Sequence, residues 1–156
     1  MSPAGSVLYL IISWHLLLSG KPYVLVHAAV EGAAHRLAVP ECQTVLDDFR
    51  DSQGHAPSAA LASSKMSHVE FLSSLYFADG DGTPQCHLAH APVAYTSPGR
   101  HTILVCSAPF ASLFKAGPRD AQVVVIHEML HALGLAENPP TSAAITAQVM
   151  RRCGSR

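Results

Sequence analysis

Between Val123 and Gly134 the chain reads VVVIHEMLHALG, which contains an H-E-x-x-H motif: His127-Glu128-Met129-Leu130-His131. On an α-helix, residues i and i+4 stand one turn apart on the same face, so the two imidazoles can approach a single metal ion, with Glu128 beside them. Zinc held by three protein groups keeps a fourth position for water and lowers its pKa to about 7, and a carboxylate can then take the proton during attack on a carbonyl. The apolar lead-in Val123 to Ile126 puts the pair in a packed interior or cleft, where idle polar groups are costly.

Two histidines need a third partner. Downstream of His131 there is no other His, Asp or Glu except Glu137, and Cys153 is the only rival of ligand type there. A helix that stops at Gly134 can fold the next three residues back toward the metal, whereas a continued helix would carry position 137 away. Upstream, His101 and Asp120 remain alternatives. The histidines of Cys86-His87-Leu88-Ala89-His90 read as solvated loop residues, because a disulfide at Cys86 would remove its thiolate.

The elements that must position these groups follow from periodicity and breakers. Pro118 opens a helix with Asp120 as its expected cap, running from Ala121 to Leu133 and ending at Gly134. After Glu137-Asn138-Pro139-Pro140, Thr141 or Ser142 can cap a final helix over Ala143 to Arg152. Upstream, PECQTVLDDF from Pro40 to Phe49 has helical spacing, and Ala59 to Phe77 predicts a second helix entering near Ser67. Asp79 to Pro84 is a turn and lacks the alternating acids of a calcium loop. Pro92 to Thr96 and His101 to Cys106 predict strands around the turn Ser97 to Arg100.

With these elements in view, HEMLHALGLAE resembles the H-E-x-x-H-x-x-G-x-x-H signature of metzincin peptidases, with Glu137 in the place of their third His. The longer stretch that continues through ENPP to Cys153 also resembles a group of small bacterial zincin-like proteins. The resemblance implies an α+β zincin-like domain whose active-site helix packs on a short, mostly antiparallel sheet. It further implies a zinc metallopeptidase: His127, His131 and Glu137 on Zn2+, Glu128 as the proton-transferring base, and a peptide or protein substrate along an edge strand His101 to Cys106. Met150 falls in a helical stretch and is not assigned to the methionine turn of metzincins. The alternative is a secreted binding or structural protein in which the metal only stabilises the fold.

Length and composition fit one domain with no internal repeat: 156 residues, 49% hydrophobic. Ten Lys and Arg against eleven Asp and Glu, without a basic run, exclude nucleic acid as the expected partner. Oligomeric state is not readable. The four cysteines, Cys42, Cys86, Cys106 and Cys153, form no C-x-x-C pair and are read as two disulfides of open connectivity, which requires an oxidising compartment. Val7 to Leu18 is apolar, too short to span a bilayer and of signal-sequence length, though no Lys or Arg precedes it. Residues 1–30 are accordingly expected to be a signal peptide or hydrophobic anchor, with small residues at Val26 and Ala28 or at Gly32 and Ala34 suiting cleavage, and 36–156 the single domain. Export to the periplasm or exterior follows, with a membrane-anchored form through the N-terminus as the alternative.

Overall fold

The computed structural model describes residues 12–155. Seven helices surround a four-stranded sheet: β1 (His15–Leu17), α1 (Gly20–Leu37), α2 (Pro40–Gln43), α3 (Pro57–Ser64), α4 (His68–Ser74), β2 (Tyr76–Asp79), β3 (Ala94–Tyr95), β4 (Thr102–Val105), α5 (Ser107–Ala116), α6 (Pro118–Ala132) and α7 (Ser142–Cys153). The α+β class is as expected. The sheet order β1-β2-β4-β3 is not mostly antiparallel: β1 pairs with β2 and β2 with β4 in parallel, and only β3 runs antiparallel to β4. The helices α1 to α4 carry the chain from β1 to β2, and a long connection that includes β3 carries it from β2 to β4, which allows parallel pairing, whereas the short turn before β4 gives the antiparallel pair.

Two further expectations are corrected by this topology. Strand β4 is paired on both sides, so it is not an edge. On that side of the sheet the edge is β3. The helix expected to enter near Ser67 does so as α4, through a full capping box in which Ser67 and Glu70 exchange hydrogen bonds, but it ends at Ser74 instead of Phe77, and residues 59–64 belong to the separate α3. Tyr76 and Phe77 then form the central strand. Their apolar spacing suits either element, and pairing with β1 and β4 decides it, burying Phe77 beside Ile103.

Helix α1 is the largest element not read from the sequence. Val26, Ala29, Val30, Ala33 and Leu37 recur at i, i+3, i+4, i+7 and i+11 and are fully buried, and α1 packs against α6. A methyl at Gly32 would collide with the Gln122 side chain, so the glycine permits close approach of the two helices there. The folded body thus takes in residues 15–37, ahead of the boundary expected at 36, and Val26, Ala28, Gly32 and Ala34 lie inside this helix. The first part of the apolar run, residues 7–11, lies outside the described residues. Among the described residues no helix is long and apolar enough to cross a membrane.

Both disulfides form, as Cys42–Cys153 and Cys86–Cys106, consistent with an extracellular or periplasmic protein. The first anchors the end of α7 to α2. Arg152 reinforces it through Asp48 at 2.9 Å and Glu41 at 3.2 Å, and Gln148 donates to Asp48 at 2.6 Å. The Arg152 hydrogen bonds hold the Asp48 carboxyl below its usual range.

Candidate metal centre

Helix α6 starts with Gly117 at its cap and Pro118 in its first turn; Asp120, expected as the cap, sits inside that turn instead. From there the helix is driven into the core by Val123, Val125, Ile126, Met129 and Leu130. The same burial encloses the motif. His127, Glu128 and His131, at 5%, 6% and 4% exposure, are the only buried polar or charged residues among the described residues. Three polar groups placed where solvent cannot serve them require partners.

The helix ends in a Schellman arrangement. Gly134, at φ +105°, turns the chain into the left-handed region, its N–H donates to the His131 carbonyl at 2.8 Å, and the Leu135 N–H donates to the Leu130 carbonyl at 3.1 Å. Leu135 is thereby buried against the helix end, and its carbonyl meets Nδ1 of His131. A carbonyl only accepts, so His131 carries a proton on Nδ1, and the neutral ring presents a bare Nε2.

That Nε2 lies 3.0 Å from Nε2 of His127 and 3.1 Å from Oε1 of Glu137, and the remaining side of the triangle, His127 Nε2 to Glu137 Oε1, is 3.5 Å. Two acceptors, the His131 nitrogen and the Glu137 carboxylate, face each other across hydrogen-bond distance. A proton or a metal cation between them satisfies such an approach. Tetrahedral zinc with bonds of about 2.0–2.1 Å separates its ligand atoms by roughly 3.3 Å, which matches all three sides. The donor set, two neutral imidazoles and one carboxylate, is of the type zinc takes in catalytic sites. The cluster could bind a metal ion, and it is the only such group of His, Cys, Asp and Glu among the described residues.

Burial, and secondarily the positive charge His131 would carry, lower the pKa of His127 to about 4, so its ring is neutral at ordinary pH. Burial, with a smaller contribution from the Glu137 charge, pushes Glu128 up to about 8, and its Oε2 has no hydrogen-bond partner. Glu128, His131 and Glu137 open onto a cleft of about 350 Å³ whose far wall is Ala94 and Tyr95 of β3 with Thr96. The turn joining β3 to β4 is fastened to the helix, since the Gly99 N–H donates to the His131 carbonyl at 2.9 Å.

Of the residues singled out in the sequence, His127, His131 and Glu137 come together, with Glu128 beside them. The others do not join. His101 packs edge-on against Phe71, and Asp120 lies near Arg119 at the opposite end of α6. Cys86 and Cys153 are in disulfides, and His87 bonds the Asp81 carbonyl. Thr146 escaped the sequence reading: its Oγ1 is 2.9 Å from Nδ1 of His127. No local pattern could have found it, because the contact joins two helices.

Comparison of the chain with protein-family models, with curated proteins and with solved structures returns no match. The geometry itself defines an α+β domain with a His/His/Glu cluster at the floor of a cleft.

Proposed function

We propose that this chain is a zinc-dependent peptide hydrolase of zincin type, in which His127, His131 and Glu137 hold the metal and Glu128 is the general base. The observation that carries this reading is the convergence of three potential ligand atoms within 3.5 Å of one another beside a buried carboxyl at an open cleft. Zinc bound there would supply a Lewis acid and a water of lowered pKa. Glu128, whose Oε2 is unpartnered, would be the group to take a proton from a water held there and to return one to the leaving amine. Positive charge beside it would bring this carboxyl back down from about 8, into the range where it accepts a proton at neutral pH.

The free edge of β3 suits an extended peptide. Ala94 and Tyr95 pair with β4 on one side only and border the cleft on the other, so their backbone groups can hydrogen-bond a substrate strand. A metal serving stability alone has no use for a buried, unpaired Glu128 or for a ligand as open as Glu137, which is 39% exposed. The test is metal analysis of the purified protein and of His131→Ala, with cleavage of a mixed peptide library followed by mass spectrometry. The reading requires one zinc per chain in the parent, none in His131→Ala, and cleavage that Glu128→Gln loses by orders of magnitude while keeping its zinc. Zinc retained in His131→Ala overturns the centre, and cleavage retained in Glu128→Gln overturns the base.

A further inference from the structure

Helix α7 contributes no ligand to the cluster, yet one of its side chains reaches the first histidine. We infer that Thr146 is the positioning residue of His127: its hydroxyl accepts from Nδ1–H and so turns the bare Nε2 toward His131 and Glu137. The inference rests on the metal-centre reading above and concerns how that centre is kept in its binding form.

His131 has its tautomer dictated by Leu135, whose carbonyl admits only a donor. His127 has no such carbonyl; its Nδ1 meets a hydroxyl, which can donate or accept, at 2.9 Å. If the hydroxyl donated, the imidazole proton would sit on Nε2, 3.0 Å from the His131 nitrogen, and would occupy the space where a metal must bind. If it accepts, both Nε2 lone pairs converge with the Glu137 oxygen. Only the second arrangement makes a three-atom binding set, and an outer hydrogen bond of this kind orients a ligating histidine and raises its basicity.

The surrounding structure holds Thr146 in place for this. Thr141 caps α7, accepting from the Ala144 N–H at 3.1 Å, and fixes where the helix starts. Ile145 and Val149 bury its inner face, and the Cys42–Cys153 disulfide with the Arg152 ion pairs pins its far end. The hydroxyl is thus presented from a rigid element.

Zinc affinity by chelator competition on the parent, Thr146→Val and Thr146→Ser tests the assignment. Thr146→Val, which keeps shape and loses the hydroxyl, should bind zinc roughly 10- to 100-fold more weakly. Thr146→Ser should keep the parental affinity and the parental visible spectrum of the cobalt-substituted protein. Equal zinc affinity in the Val variant and the parent overturns the role of Thr146 and leaves the metal centre standing. A parent that binds no zinc overturns the centre, and this inference with it. Should the Val variant fail to fold, nitrogen-15 NMR of the zinc-loaded parent decides: a His127 Nδ1–H that donates a hydrogen bond to Thr146 supports the inference, and an Nδ1–H without that bond overturns it.

Discussion

Nδ1 of His131 and the carbonyl oxygen of Leu135 meet across the end of α6, four residues apart in sequence but on opposite sides of a left-handed turn. This one contact puts a proton on Nδ1 of His131, and the same turn returns Glu137 to the cluster. The stop signal of the helix is therefore part of the site.

Gly134→Ala is expected to damage both. A methyl group at Gly134 would meet nothing within 4 Å, so the cost is backbone strain at φ +105°, about 1–2 kcal/mol. Urea unfolding should register that loss and a zinc titration should show weaker binding. Gly82→Ala, equally uncrowded and without a positive φ, is the control that should change neither.

Glu137→Ala should reduce zinc affinity by more than the roughly 10- to 100-fold that follows loss of an outer hydrogen-bond partner. Isothermal titration at neutral pH measures it. Unchanged affinity would show that the Glu137 carboxylate is not a ligand.

The chelator-treated protein should show a defined pH dependence. Glu128 titrates at about 8 in the folded chain against an ordinary 4.5, so between those values the folded state holds the extra proton, and stability falls as pH rises through the folded value. His127 acts oppositely: lowered from 6.5 to about 4, it contributes stability that is present above 6.5 and lost as pH falls toward 4. From pH 6.5 to 8 only the Glu128 effect operates of the two. The thermal midpoint of the chelated parent should drop across that window, and that of Glu128→Gln should stay level. A level parent would mean that Glu128 is already ionised in the fold.

The two disulfides should differ in what they support. Cys42–Cys153 spans 111 residues and Cys86–Cys106 spans 20. Chain entropy assigns about 4.7 kcal/mol to closing a loop of about 100 residues and about 3 kcal/mol to one of about 15. The double variant Cys42→Ala/Cys153→Ala should lose more stability to urea, and, by loosening α7 and Thr146, should also weaken zinc binding. Cys86→Ala/Cys106→Ala should lose less and leave zinc affinity unchanged.

Much of the site was legible in the sequence because its logic is local. The four-residue spacing of His127 and His131 places both on one helical face whatever the fold, Gly134 marks the stop because glycine enters the left-handed region freely, and Glu137 was the one acid left downstream. The cap at Thr141 was readable for the same reason. Other features depend on partners distant in the chain. The apolar residues 23–30 have the composition of a signal segment and of a buried helix alike, and only packing against α6 makes them the latter here. Whether Tyr76 and Phe77 continue a helix or become a strand was settled by Thr102 and Ile103, and which cysteines pair was settled by the meeting of α2 with α7 and of the end of β4 with the segment between β2 and β3. The tautomer of His127 belongs to this second group, since Thr146 approaches from another helix. Periodicity and capping record what a segment can do alone; a contact between segments leaves no local pattern, and only the tertiary structure decides it.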